Sequence, residues 1–260
     1  LWMNGEHVGV WRINAQGEHT LHYDDAWVNS PLGRPVSLCM PLRPASAPYR
    51  GEVVRNFFEN LLPDNRAIRQ RLARRFNTGT SAFELLHEVG RDCVGALQLL
   101  PEGQTLPRVR RVQATPWSEA QIEQHLAALP LTTATGLQDD GALRLSLAGA
   151  QEKTAFLWHQ GQWCRPEGST PTTHIFKLPM GQTHGGIDLT TSVENEWLCM
   201  QLLHAFGVPA ATVAILQFGR QKVLGVERFD RRQTASGWWL RLPQEDFAQV
   251  LGVDPAHKYE

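Results

Sequence analysis

The sequence predicts an α+β fold, and three observations carry that expectation. From about residue 139 apolar and polar residues alternate with period two, as in half-buried strands. Between residues 53 and 76 the apolar residues recur instead at helical spacing. Over residues 139–242 the order is hairpin, strand, helix, hairpin, which builds an antiparallel sheet with one helix packed on it.

The elements follow in order. Residues 1–42 read as short strands, because Gly5, Gly9, Gly17 and Gly33 punctuate apolar segments such as Val8 to Trp11 and Val36 to Leu42. Val53, Val54, Phe57, Phe58, Leu61 and Leu62 mark the buried face of a first helix, which Pro63 ends. Asp64 is the expected cap of a second helix with Ile68, Leu72 and Phe76 inward and Arg66, Arg69, Arg71, Arg74 and Arg75 elsewhere. Ser81 with Glu84, and Ser118 with Gln121, spell capping boxes for a third and a fourth. Leu143, Leu145 and Leu147 alternate with Arg144 and Ser146 in a strand whose polar face carries Ser146. Further strands are expected over Thr154–Trp158, around Trp163, and over His174–Leu178. A helix from about Ser192 to Phe206 follows, then a hairpin at about 212–218 and 222–228. A strand over Trp238–Leu242 precedes a last helix, opened by Pro243 and ending near Gly252.

Composition narrows the function classes. The 260 residues are 42% hydrophobic and 20% charged, with a formal net charge of -1, an ordinary globular composition. That balance argues against a protein that coats nucleic acid or an anionic membrane. No apolar run approaches the ~20 residues of a membrane-spanning helix, and no signal peptide opens the chain. Cys39, Cys93, Cys164 and Cys199 are far apart and form no CxxC, which disfavours a disulfide scaffold or zinc ribbon, so a reducing, cytoplasmic location is expected. His19 and His22 are three apart, on opposite faces of a strand, so shared metal ligation is not expected. The chain opens on Leu1 and stops at Glu260, and a longer parent chain is expected.

No Walker A loop, GxSxG elbow, HExxH or GxGxxG occurs. Three elements carry chemistry instead. Ser146 to Thr154 joins two strands through small residues and contains Lys153; backbone N–H groups of such a loop can cradle a phosphate. The plain alternative is a hairpin turn with an exposed lysine. Lys177 stands in an apolar strand, where a charged head needs a partner, and the next helix offers Glu194 and Glu196, with Glu196 favoured. Strand lysine followed by helix glutamate is the arrangement of protein-kinase N-lobes; a lysine snorkelling at a sheet edge is the alternative. Val226 to Arg231 leaves a strand where a kinase has its adenine-binding hinge, or it is a charged turn.

The run Ser146 to Ala155 closely resembles the nucleotide loop of the HipA family, serine/threonine-kinase toxins of bacterial type II toxin–antitoxin systems. So do Thr170 to Pro179, Val226 to Arg232 and Arg241 to Asp246. Trp2-Met3-Asn4, Phe57 to Asp64 and Gly90 to Ala96 resemble the family's N-terminal subdomain. The resemblance implies a kinase-like N-lobe with an antiparallel sheet over 139–242, preceded by an extra α/β subdomain over 1–138. Residues 243–260 would begin a C-terminal helical lobe that is mostly absent. It implies ATP and Mg²⁺ as cofactors, with Ala148, Gly149, Ala150, Gln151, Glu152, Lys153 and Lys177 at the phosphates and Glu227, Arg228 and Phe229 lining the adenine pocket. It also implies autophosphorylation at Ser146, glutamyl-tRNA synthetase as target, and a HipB-like helix-turn-helix antitoxin that brings the complex to operator DNA. Arg69 and Arg74 are then expected to contribute to operator affinity, unless the helix is simply a solvated face.

The chain departs from the family in one respect. The family's Asp-Gly-His-Ala-Lys-Asn-like catalytic loop and its metal-binding aspartate have no counterpart among the ten aspartates, the last of which is Asp254. Such a chain is either the N-terminal part of a kinase or a non-catalytic module that binds an antitoxin/DNA complex.

Overall fold

A computed structural model describes residues 1–104, 109–130, 146–149, 151–182 and 186–258. The first region holds β1 (Trp2–Met3), β2 (Glu6–His7), β3 (Gly9–Ile13), β4 (His19–Tyr23), α1 (Asp25–Val28), β5 (Tyr49–Arg50), α2 (Glu52–Glu59), α3 (Arg66–Phe76), α4 (Ala82–Val89) and β6 (Leu97–Gln98). Two small antiparallel sheets, β2-β1-β6 and β3-β4-β5, flank the helices. Their shared core includes Trp11, Leu21, Phe57, Phe58, Leu62, Leu85 and Leu86. The Ser81–Glu84 capping box forms as its spacing predicts.

Two local expectations differ. Residues 36–42 are not a strand; a single bridge joins Ser37 to Met40. Tyr23 Oη instead donates to Met40 O at 2.6 Å, so a side chain satisfies a carbonyl that a ladder would have used. Asn65, not Asp64, caps α3, accepting from Ala67 N and Ile68 N.

The second region holds β7 (Ala114–Pro116), α5 (Glu119–Ala128), β8 (Lys153–His159), β9 (Gln162–Pro166), β10 (His174–Lys177), β11 (Gly181–Gln182), β12 (Asp188–Leu189), α6 (Ser192–Ala205), β13 (Val213–Phe218), β14 (Gln221–Glu227), β15 (Arg231–Gln233), β16 (Trp239–Arg241) and α7 (Phe247–Leu251). Six strands form one antiparallel sheet in the order β13-β14-β10-β8-β9-β7. Ser118 and Gln121 close the capping box of α5. That helix buries Ile122 and Leu126 on one sheet face against Phe156, Phe176 and Phe218. Helix α6 packs on the other face through Val193 and Met200 against Val213, Leu224 and Val226.

The strand expected over Leu143 to Leu147 falls on residues outside those described up to 145. Ser146 and Leu147 are not in a strand. The last helix starts at Phe247 behind an Asp246 cap rather than at Pro243. Among the described residues no helix is long and apolar enough to cross a membrane.

Phe58 is fully buried and stacks on Trp11 with ring centroids 3.8 Å apart. Phe58→Ala is expected to cost about 3–5 kcal/mol. Urea denaturation should show a lower midpoint at an unchanged slope.

Candidate functional site

Register brings two lysines together. Lys177 on β10 lies directly opposite Lys153 on β8, so both project from the sheet face that carries α6. Two like charges at that spacing need compensation, and each has it. Lys177 Nζ donates to Glu196 Oε1 at 2.5 Å. Glu194, the other acidic residue on α6, turns to Lys222. Lys153 Nζ donates to the Ala148 carbonyl, folding its head back under the small-residue loop. Gly149 is needed for that fold: its φ is +107° and an added Cβ would lie 2.5 Å from Lys153 Nζ.

The loop itself is strapped down. Asp64 N donates to Gly149 O at 3.2 Å. Gln151 Nε2 donates to Leu178 O, and Leu178 N to Glu152 O. The Glu152 carboxylate pairs with Arg71 of α3. Ser146, expected on an exposed strand face, is buried; its Oγ donates to Leu61 O at 2.5 Å and its N to Asp92 O at 3.1 Å. The partner carbonyl is 85 residues away, so no local pattern announces the burial. Ala150 lies outside the described residues.

At the other end of the sheet, residues 227–229 leave β14. Glu227 N donates to Thr212 O and Arg228 N to Thr173 O, both at 2.9 Å, so these two N–H groups are not free for a base edge. The Arg228 side chain does not line a pocket either. It is 4% exposed and turned inward, with Nε and Nη2 on the Asp230 carboxylate and Nη2 also on Cys93 O. Phe229 is 70% exposed. The expected adenine-lining trio therefore divides into one inward arginine and two outward neighbours.

Arg228 belongs to a buried cluster that sequence reasoning missed. Asp92, Asp230, Arg228, Arg231 and Arg241 share one site with side chains at most 8% exposed. Burial alone would raise the Asp92 carboxyl, but Arg231, Arg228 and Arg241 hold it well below the usual carboxylate range. Burial pushes Arg231 the other way, downward. The signal that could have found the cluster was present: each charge sits in one of three runs, 90–96, 226–232 and 241–246, already set apart by their resemblance to the family.

Arg69 of α3 is also engaged, with Glu59 Oε2 at 2.5 Å and with the carbonyls of Glu59 and Pro63. It clamps the α2–α3 turn and is not available to a phosphate backbone, whereas Arg74 is exposed. A cavity of about 810 Å³ lined by Trp158, Trp238, Trp239, Arg110, Arg111 and Glu227 lies at the β14 exit, away from Lys153 and Lys177. Neither the lysine pair nor the strapped loop lines that cavity. Among the described residues no three His, Cys, Asp or Glu side chains are grouped to hold a metal.

The HipA N-terminal domain model matches residues 1–100, and the HipA-like C-terminal domain model matches residues 145–260. The chain belongs to the HipA family. "Putative kinase Y4mE" of Sinorhizobium fredii (strain NBRC 101917 / NGR234) is 37% identical over 265 residues, which span 100% of this chain and 60% of that protein. "Serine/threonine-protein kinase toxin HipA" of Shewanella oneidensis is 31% identical over 241 residues, 92% of this chain and 52% of that one. The solved complex of Shewanella oneidensis MR-1 HipA, HipB and operator DNA contains a chain matching 97% of this one at 30% identity and a TM-score of 0.74. This HipA-family chain covers 56% of that chain, so it spans little more than half the length of these relatives.

Burial, then the neighbouring Lys177, lowers Lys153 from 10.5 to about 8. Its folded value lies below its unfolded one, so the folded state loses the proton first. Between about pH 8 and 10.5 the unfolded chain binds more protons, and stability rises with pH on this group's account. Amine labelling followed by mass spectrometry should place the Lys153 midpoint near pH 8, and inorganic tripolyphosphate should raise it. A midpoint at the ordinary lysine value contradicts the burial.

Proposed function

We propose that this chain is the nucleotide-binding part of a HipA-type protein serine/threonine kinase, the toxin of a type II toxin–antitoxin system. The observation that carries the reading is the Lys177–Glu196 pair beside Lys153 under the loop 148–153. A strand lysine held by a helix glutamate, next to a glycine-bearing loop, is the arrangement that positions nucleotide phosphates. In this reading ATP supplies the phosphoryl group. Lys177 and Lys153 neutralise its phosphates, Gly149 lets the backbone approach them, and Glu196 keeps Lys177 aimed. Ile175 shares the β10 face with Lys177 and leads toward Phe229, which borders the base.

The catalytic base and the Mg²⁺ ligands belong, in this reading, to a helical lobe that begins after residue 243. Phe247 and Leu251 of α7 are 84% and 72% exposed and offer the remainder of that lobe an apolar seat. The assembly of the Shewanella protein with HipB and operator DNA supports a HipB-like repressor and operator DNA as partners here. Glutamyl-tRNA synthetase is the proposed target. The exposed arginines of α3 favour a second reading, a module that binds an antitoxin/DNA complex without catalysis.

Phosphotransfer by the intact wild type decides between them, and Lys177→Ala tests the role given to the lysine. The variant should retain the fold and lose phosphotransfer by on the order of a hundred-fold or more, because positioned charge supplies most of this catalysis. Transfer by the variant at the wild-type rate, measured with radiolabelled ATP, contradicts the assignment of Lys177 to the phosphates, and an intact wild type that transfers no phosphate contradicts the kinase reading.

Ser146 is proposed as the self-inactivation site, and its burial sharpens how that would work. A phosphoryl group brings about -1.5 to -2 charge, and Ser146, 1% exposed with its Oγ on Leu61 O, leaves no room for it. The loop must leave, and Gly149 and Lys153 leave with it. Phosphoserine at 146 should therefore abolish measurable ATP binding in calorimetry, whereas Ser146→Ala should preserve it. Affinity equal to the unmodified protein removes the switch.

A further inference from the structure

The turn after α4 reaches both ends of the proposed nucleotide site. Asp92 Oδ1 accepts from Arg231 Nη2 at 3.0 Å and Arg241 Nη2 at 3.2 Å. Oδ2 accepts from Thr172 N at 3.0 Å and Thr172 Oγ1 at 2.7 Å, with Arg228 Nη1 at 3.5 Å. Arg228 Nη1 also donates to Thr172 Oγ1 at 2.9 Å. The next carbonyl, Cys93 O, accepts from both Arg228 Nη2 and Arg231 Nη2. Arg228 is the central residue of the β14 exit, and its backbone is tied to Thr173 O. Side chain and main chain of the same residue are thus both anchored, the one at Asp92, Cys93 and Thr172 and the other at Thr173.

We propose that Asp92 is a positioning residue for the base end of the nucleotide site: its charge keeps Arg228 turned inward, and Arg228 fixes the backbone of 227–229 against which the base lies. The inference rests on the nucleotide-site reading above. Two carboxylates face three guanidiniums here, so positive charge is already in excess. Asparagine at 92 would keep an acceptor oxygen but would remove one of the two negative charges. Mutual repulsion of the guanidiniums would then act on Arg228, whose release moves the hinge.

The phosphate end should be spared. Lys177 is held by Glu196 and Lys153 by Ala148 O, groups that the Asp92 side chain does not touch. The link from residue 92 to the loop is main-chain, Ser146 N to Asp92 O, and survives the substitution. A residue that merely supported the fold would weaken both ends together.

The experiment compares wild type, Asp92→Asn and Thr172→Val in the intact protein. Thr172→Val keeps side-chain size and removes only the hydroxyl shared by Asp92 and Arg228. Ligand-observed NMR titrations measure adenosine, for the base end, and inorganic tripolyphosphate, for the phosphate end. Loss of one charge-assisted contact predicts that adenosine weakens roughly ten-fold in Asp92→Asn, with a smaller loss in Thr172→Val. Tripolyphosphate affinity should stay within about two-fold of wild type in both, a change too small for a lost charged contact. Parallel losses for the two ligands, or no loss for adenosine, overturn the proposal. If Asp92→Asn does not fold, Thr172→Val decides by the same split. Wild type that binds neither ligand overturns the nucleotide-site reading, and the inference falls with it.

Discussion

Asp92 holds three guanidiniums in a space closed to water, and the two regions of the chain meet there. Removing one partner from a buried charge network typically costs about 3–5 kcal/mol, because the remaining charges stay desolvated. The joint draws on distant segments: Asp92 to Gly95, Thr172, Arg228 to Arg231, and Arg241. Gly95 N donates to Asp230 Oδ2 and Gly95 O accepts from Arg231 Nη1. Gly95 has φ +77°, and a Cβ there would lie 2.7 Å from Gln244 O, so the approach requires glycine. Asn4 clasps the main chain of Arg241 from the other side, donating to its O and accepting from its N at 2.9 Å. Arg231 Nε and Arg241 Nε are buried without partners, so the network has little surplus to absorb a lost contact.

Given that joint, the rest of the site is positioned by backbone. The main-chain oxygen of Asp92 meets Ser146, and the α2–α3 turn meets the loop through Leu61 O and Asp64 N. Arg71 then reaches from α3 to Glu152, while Arg69 stiffens the turn that delivers it. The first region is therefore a frame for the loop rather than a separate appendage. Sheet register supplies the other half, because pairing Lys177 with Lys153 is what sets two cations side by side.

The features legible in the sequence were the local ones. The capping boxes at Ser81 and Ser118 involve residues three apart, and the strands expected over Thr154–Trp158 and His174–Leu178 form as β8 and β10. Lys177 stood out because an apolar strand cannot hold an unpaired charge, and Glu196 lay one helix later. What escaped reading depended on contacts far apart in the chain. Ser146 looked like a polar strand face because its acceptor is Leu61. Arg228 looked like a pocket residue because Asp92 and Cys93 are about 135 residues away. The arginines of α3 looked like one patch, yet Arg69 and Arg71 have separate internal duties and Arg74 remains exposed.

In the proposed kinase one nucleotide lies along a single sheet face, its phosphates at the lysine pair and its base at the exit of β14. A crystal structure of the intact protein with a non-hydrolysable ATP analogue tests this directly. Phosphate oxygens should lie within hydrogen-bond distance of Lys177 Nζ and of the 148–153 backbone, with the base against Phe229. An analogue seated instead in the cavity between Trp158, Trp238 and Arg110, with Lys153 and Lys177 uncontacted, would contradict it.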